Sequence, residues 1–389
     1  MIFILKNKDI KVAIFELTSL VSSTDLQVKR VLVDTVPYFL RTNITFLSWL
    51  QSRVSPISRR NMINLFKFAN IDNLQDYCLI SKAVSLNDTF WVDTEKSGLF
   101  WSKISPYKCS FNSTLSLLSW GMFKPLDTKC FESPEFSTDG NSKKCWQRID
   151  GEIRLLKSEG SFGELEYSNV YSEYFATQLC EFLGLRSFVK YSLRMKRGEL
   201  ASSCVLFTSE TFGFVPIGDL FSSLDCGTLE LDLKRFKELK VGQYVYDVYH
   251  EMLLLDSLIF NIDRHEGNYG FIINNDTQKL NTIAPIFDYD RSLFYNIGLV
   301  NRDLQDIAED LRGLKPRTLQ GSFEEQGYLC VRSSKELQQK ILNVYKNFSF
   351  VNSKEFPCSQ ERVDMLSKIV RQQAGRILSM CKKNNSLLV

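Results

Sequence analysis

The stretch Asn261-Ile-Asp-Arg-His-Glu-Gly-Asn-Tyr-Gly270 decides how the rest of the chain is read. It follows an apolar stripe, Val245, Val248, Tyr249, Met252, Leu255 and Ile259, whose spacing predicts a long buried helix. After it come Phe271-Ile-Ile273, which reads as a strand, and the turn Asn274-Asn-Asp276. Ile283-Ala-Pro-Ile-Phe-Asp288 is a further apolar element that ends on a carboxylate. The layout is helix, polar loop, hairpin, carboxylate. Polar residues gather in ordinary turns, and a lone Asp-x4-Asn carries little information. Here the loop abuts very apolar elements, where an unpaired carboxylate is costly to bury. Such a cluster needs a chemical reason.

Phosphoryl transfer supplies one. The acceptor hydroxyl needs a carboxylate to orient it and take its proton. A nearby Asn can hold a metal, and a later Asp holds the metal ions that bridge the phosphates of ATP. Asp263 and Asn268 have the Asp-x4-Asn spacing, and Asp288 comes later with room for one hairpin. Lys157, at the end of a strand expected over 152–157, is the candidate cation for the phosphates. Glu173, on the next expected helix, is its candidate partner. The plain alternatives are an exposed strand-end lysine and a solvated helix glutamate. His265 belongs to the candidate catalytic set, and its place beside Asp263 suits orienting the loop better than carrying a proton.

Working outward, residues 2–5 and 10–15 read as a β-hairpin around Asn7-Lys-Asp9, and 58–71 carries a helical period. Residues 89–92 and 98–101 read as short aromatic strands or extended segments. Residues 124–150 have loop chemistry, rich in Pro, Ser, Asp, Gly and Asn. A helix is expected over 169–183, closed by Gly184 in a left-handed C-cap, then strands over 188–195 and 203–208. Helical periods return over 335–348 and 359–381, the latter with Ser359 as N-cap. A mixed front half thus precedes a mostly helical back half. The expected division is an accessory α+β region over 1–125, a nucleotide-binding lobe over 126–215 and a helical catalytic lobe over 216–389.

Composition sets outer limits. The 389 residues are 44% apolar and 24% charged, enough for a large core and far from a disordered chain. The 48 basic and 45 acidic residues leave a formal charge of +3, too balanced to announce a nucleic-acid binder. The short basic runs, and the basic face around Lys368, Arg371 and Arg376, read as solvated charge. None of the ten cysteines is spaced as CxxC and there are only two histidines, so a Cys/His metal cluster is not expected. Scattered cysteines in a long chain fit reduced thiols in the cytoplasm. The apolar start Met1 to Leu5 is too short for a signal segment, and no window approaches the roughly 18 apolar residues of a membrane span. The expectation is a soluble cytoplasmic protein.

The deciding segment also resembles a known family. Asn261-x-Asp-Arg-His-x-x-Asn268 with Ala284-Pro-x-x-Asp288 looks like the catalytic centre of HipA-like serine/threonine kinases. Phe136-Ser-Thr-Asp-Gly-Asn-x-x-Lys144-Cys-Trp146 resembles that family's phosphate-covering loop, and Leu155-Leu-Lys157 its strand with the ATP lysine. Glu173 resembles its helix glutamate, and Ser85-Leu-Asn-Asp-Thr-Phe-Trp91 is similar to a stretch seen upstream in relatives. The matches run from about residue 85 to 290. The resemblance implies a two-lobed α+β, protein-kinase-like fold and an ATP- and Mg2+-dependent protein kinase. Asp263 would be the base, Asn268 and Asp288 the Mg2+ ligands, Lys157 the phosphate contact, and Ser137, Thr138, Asp139, Gly140 and Asn141 the nucleotide loop. In this family a loop serine can be autophosphorylated, which ejects the loop; Ser137 and Thr138 are the nearest hydroxyls and Ser142 a third. The resemblance also implies a protein substrate, and the toxin of a toxin–antitoxin pair with a separate antitoxin as partner, because no helix-turn-helix is visible. The loop departs from the glycine-rich loop of ordinary protein kinases. Two other readings stand beside this one. Asp-Arg-His-x-x-Asn also occurs in phosphatidylinositol-type kinases, and small-molecule kinases share the Asp-x4-Asn logic. A kinase-shaped module that only holds nucleotide is the remaining alternative.

Overall fold

Alternating apolar residues pair the start of the chain on itself. β1 (Ile2–Asn7) and β2 (Ile10–Leu20) form an antiparallel hairpin turning at Lys8, with Phe3 opposite Phe15 and Leu5 opposite Ala13. With β3 (Ser23–Val31) and β4 (Phe90–Asp93) they make a four-stranded sheet of order β3-β2-β1-β4. The computed structural model describes residues 1–389 apart from 21–22, 96, 123–130, 160–162, 222–227, 320 and 386–389. The chain forms two compact units. The first is Met1–Lys157, Ser203–Ser223 and Gly270–Thr282; the second is Ser158–Ser202, Leu224–Tyr269 and Ile283–Val389.

The first unit spends much of the chain's aromatic content on one core. Phe3 and Phe15 stack from neighbouring strands, and Phe39, Phe46, Trp49 and Phe90 close around them, with Phe39 and Trp49 stacked at 3.9 Å. Such pairs add about 0.5–1.5 kcal/mol each beyond the area they bury. The helices Asn43–Ser52, Met62–Ala69 and Leu74–Ser81 contribute apolar faces to this core. Thr42 and Thr45 cap the first of these reciprocally.

The loop expected over 124–150 is shorter than expected. Residues 123–130 lie outside the described residues. Lys143–Ile149 is a strand, hairpinned to Glu152–Ser158 across Asp150 and Gly151, both at positive φ. Asp-Gly is the dipeptide such a two-residue turn selects, and that cue outweighs the loop-like composition before it. Residues 98–101 are not a strand; Trp101 starts the short helix Trp101–Ile104. The hairpin expected after residue 270 is present as Gly270–Asn274 and Leu280–Ile283, with Phe212–Pro216 on its other side. Gly270 is required there, because a Cβ would lie 2.1 Å from the Val215 carbonyl oxygen.

The second unit is mainly helical. Ser168–Leu183 ends on Gly184 at φ +58, as expected. The strand Tyr191–Lys196 pairs with Glu199–Val205, both displaced from the expected ranges by a turn at Arg197 and Gly198. Gln243–Ile259 buries the whole expected stripe from Val245 to Ile259. Phe323–Val331 and Gln360–Asn385 pack on it, and Gly327 gives the room: a Cβ there would meet Ile377 Cδ1 at 2.5 Å. Helices Leu229–Glu238, Leu304–Gly313 and Phe323–Val331 go beyond the elements expected from the sequence. Among the described residues no helix is long and apolar enough to cross a membrane.

Candidate active site

Helix Gln243–Ile259 ends with Phe260 in the left-handed region, its N–H bonded to the Asp256 carbonyl. Asp256 then organises the loop beyond the helix. Asn261 donates from its backbone to the Asp256 carbonyl at 3.0 Å and from its amide to Oδ1 at 2.9 Å. Arg264 grips the same carboxylate with a fork, Nε to Oδ2 at 2.9 Å and Nη2 to Oδ1 at 3.0 Å, and both side chains are buried. Burial alone would weaken the guanidinium's hold on its proton, but Asp256 keeps it firmly charged. The remaining nitrogen, Nη1, donates to the carbonyls of Asn268 at 2.8 Å and Phe287 at 2.6 Å. One side chain therefore fixes the loop and the turn that carries Asp288.

Within the loop, Asp263 receives His265 N–H at 2.8 Å and the Asn268 amide at 3.1 Å on its backbone carbonyl. That leaves the Asn268 amide oxygen as the atom a cation would take. The His265 ring accepts Gly267 N–H on Nδ1 at 3.1 Å, so it braces the loop's own backbone. The Asp263 carboxylate is half-exposed and its Oδ1 accepts Arg317 Nη1 at 2.7 Å. A second buried network holds the loop from behind. Asp232 accepts the hydroxyls of Tyr249 and Tyr269, each at 2.6 Å, and Arg235 at 3.1 Å; Arg235 also binds Glu266 at 2.6 Å. Burial raises the Asp232 carboxyl above its ordinary range, and these hydrogen bonds act against that rise.

Asp288 lies at φ +63, a conformation that non-glycine residues hold at a cost and that gathers at functional sites. Its N–H donates to the Tyr191 hydroxyl at 3.2 Å. The carboxylate oxygens of Asp288, Asp290 and Glu173 lie within 4.8 Å of one another. Glu173 is buried rather than solvated and accepts the Ser202 hydroxyl. Three convergent carboxylates are the hard oxygen donors that a magnesium ion takes, so the residues fit such a cation. Asp290 is absent from the site expected from the sequence; its only signal there is a second aspartate close behind Asp288. The structural role of Arg264 is absent too, because Asp256 reads in the sequence as a flaw in an apolar helix.

The first unit holds the other expected residues. Lys157 is buried at 6% exposure, not the exposed strand-end lysine. The Thr138 carbonyl accepts Ser55 Oγ at 2.7 Å and Arg59 Nη1 at 2.9 Å. The Asp139 carbonyl accepts Lys144 Nζ at 2.6 Å, and Asn141 Oδ1 accepts Ser58 Oγ at 2.8 Å. Gly140, at φ +88, lies where a Cβ would meet Lys144 Nζ. Ser137 is buried and donates to the Val84 carbonyl at 2.7 Å; Thr138 donates to the Pro134 carbonyl at 2.7 Å; Ser142 is buried. The loop hydroxyls are thus turned inward.

A half-exposed carboxylate on a braced loop, tied to a turn bearing convergent carboxylates, brings together groups of the kind phosphoryl transfer uses, and the chain is similar to the HipA-like serine/threonine kinases. The particular relative is serine/threonine-protein kinase CtkA of Helicobacter pylori, 28% identical over 186 residues that make up 43% of this chain and 55% of that protein. The chain thus matches about half the length of that curated relative. The crystal structure of the H. pylori proinflammatory kinase CtkA aligns with TM-score 0.48 and 16% identity over 63% of this chain and 92% of that one. A chain of the Shewanella oneidensis toxin–antitoxin complex of HipA, HipB and operator DNA aligns with TM-score 0.44 and 14% identity, over 98% of this chain and 97% of that one. No protein-family model matches the chain.

Proposed function

We propose that this chain is an ATP- and Mg2+-dependent serine/threonine protein kinase of the HipA-like type. The observation that carries the reading is the Arg264 guanidinium, which binds the carbonyls of Asn268 and Phe287 from one nitrogen. It ties the loop with Asp263 to the turn with Asp288, the juxtaposition that positioning and charge neutralisation require in phosphoryl transfer. In this reading Asp263 takes the acceptor proton. Asn268 and Asp288 hold Mg2+, with Asp290 and Glu173 close enough to share it. The ion supplies the charge that neutralises the nucleotide phosphates. Lys157 and the 137–141 loop meet those phosphates. The similarity to CtkA supports the activity, and the resemblance to HipA-like kinases suggests a separate antitoxin partner. Reduced thiols suit a cytoplasmic location. Self-phosphorylation at Ser137, Thr138 or Ser142 would require the loop to leave its inward position, since each hydroxyl is bonded or buried there.

The test is phosphate incorporation from γ-labelled ATP with magnesium, for the parent and Asp263→Asn, with labelled residues mapped by mass spectrometry. The expected result is label on a serine or threonine, lowered about 10²- to 10⁴-fold in the variant. Equal label in both would remove Asp263 from the mechanism. Label on an inositol lipid or a small alcohol alone would move the enzyme to another class of kinase.

A further inference from the structure

Arg317 has no part in the site expected from the sequence, yet its Nη1 lies 2.7 Å from Oδ1 of Asp263. Its backbone neighbour is firmly anchored. Thr318 is buried, its carbonyl accepts Leu229 N–H at 2.9 Å, and its hydroxyl donates to Gln326 Oε1 at 2.6 Å. Gln326 is buried in turn and donates to the Leu253 carbonyl and Ser257 Oγ of the helix that leads into the loop. The arginine is therefore delivered to the carboxylate by the same helix that delivers the loop.

We propose that Arg317 is a catalytic residue that neutralises the phosphoryl group in transit. The inference rests on Asp263 being the base. The acceptor hydroxyl must lie within hydrogen-bond reach of that carboxylate, roughly 2.6–3.2 Å. The γ-phosphoryl joins that same oxygen: the bond from phosphorus to the leaving oxygen of ADP breaks, the bond to the acceptor oxygen forms, and the acceptor proton passes to Asp263. Phosphoryl oxygens therefore arrive beside whatever cation already touches Asp263. Arg317 meets the carboxylate through one N–H and is 53% exposed, so other donors of its fork face the solvent from which the acceptor comes. Arg264 cannot serve, because its guanidinium is buried and four of its five N–H donors are taken by Asp256 and the Asn268 and Phe287 carbonyls. A surface ion pair alone would contribute little and would not need so well anchored a backbone.

The experiment compares parent, Arg317→Ala and Arg317→Lys in transfer from γ-labelled ATP to a random serine/threonine peptide library and to the chain itself. The expected result for Arg317→Ala is a kcat lower by about a hundredfold, with KM for ATP changed less than about threefold. Arg317→Lys, which keeps a cation without the fork, retains part of the rate, and added guanidinium chloride restores part of it in Arg317→Ala. The unfolding midpoint should stay at the parent's value. A kcat equal to the parent's would make the pair merely structural, and a higher one would make it a latch; either overturns the proposal. So does a loss confined to KM. Label in the parent with any of these outcomes leaves the kinase reading standing, whereas a parent that labels nothing removes that reading and this inference together.

Discussion

Arg264 and Asp256 show how much one pair decides. Both are about 1% exposed, and each satisfies the other's charge while closing the loop around Asn261, Asn268 and Phe287. Removing one partner of a buried pair leaves the other charge stranded, at a cost of about 3–5 kcal/mol. Arg264→Ala should therefore lower the free energy of denaturant unfolding by about that amount. Asp263→Asn, at a half-exposed carboxylate, should leave it near the parent value while transfer collapses. The two substitutions, only one position apart, separate holding the loop from using it. An Arg264→Ala chain as stable as the parent would refute the structural role. Asp263, Asn268 and Asp288 were readable as candidates because their spacing is local. Arg264 was not, since its meaning lies in a carboxylate inside an apolar helix and a carbonyl beyond a hairpin.

At the scale of elements, helix Gln243–Ile259 was legible almost to its ends, because a stripe buried on every turn leaves a plain period. Its partners were harder. Helix Phe323–Val331 begins Phe-Glu-Glu-Gln-Gly and buries Gln326 and Gly327, residues that a search for apolar stripes passes over. The long helix also carries a titrating group. Burial pushes the His250 imidazole below its ordinary 6.5, against a smaller opposing pull from Asp247. The folded chain thus resists a proton that the unfolded chain accepts. This contribution to stability is whole above pH 6.5 and is lost as the pH falls below it. The thermal midpoint of the parent should drop more than that of His250→Asn when the pH is lowered from about 7.5 to about 5.5. Parallel pH profiles would show that His250 titrates alike in both states.

Over the whole molecule, the α+β composition and the order of hairpin, helix and loop were legible, while the interleaving of two units was not. Each unit takes three separate stretches of chain, and local patterns say nothing about which distant stretches join. Lys143–Ile149 was lost for a related reason: its residues sit in polar company, and only the Asp150-Gly151 turn marks it as half of a hairpin. The cysteines test the packing of both units at once. The eight that lie among the described residues are free, as scattered spacing suggested. Thiolates, not thiols, react, and a free cysteine near pKa 8.5 is partly ionised at about pH 8. Burial pushes the Cys78 thiol of the first unit up to about 12, and raises Cys180 and Cys330 of the second well above the ordinary range. Cys109 and Cys358 are only half-buried. Native protein treated with iodoacetamide at about pH 8 and mapped by mass spectrometry should be alkylated first at Cys109, with Cys358, whose thiol burial pushes up to about 11, following more slowly. Cys78, Cys180 and Cys330 should react only once denaturant is added. Fast native labelling of Cys78 would mean that the aromatic core of the first unit opens readily. Fast labelling of Cys180 or Cys330 would place that opening among the helices around the Asp263 loop, and would separate the stabilities of the two units within one digest.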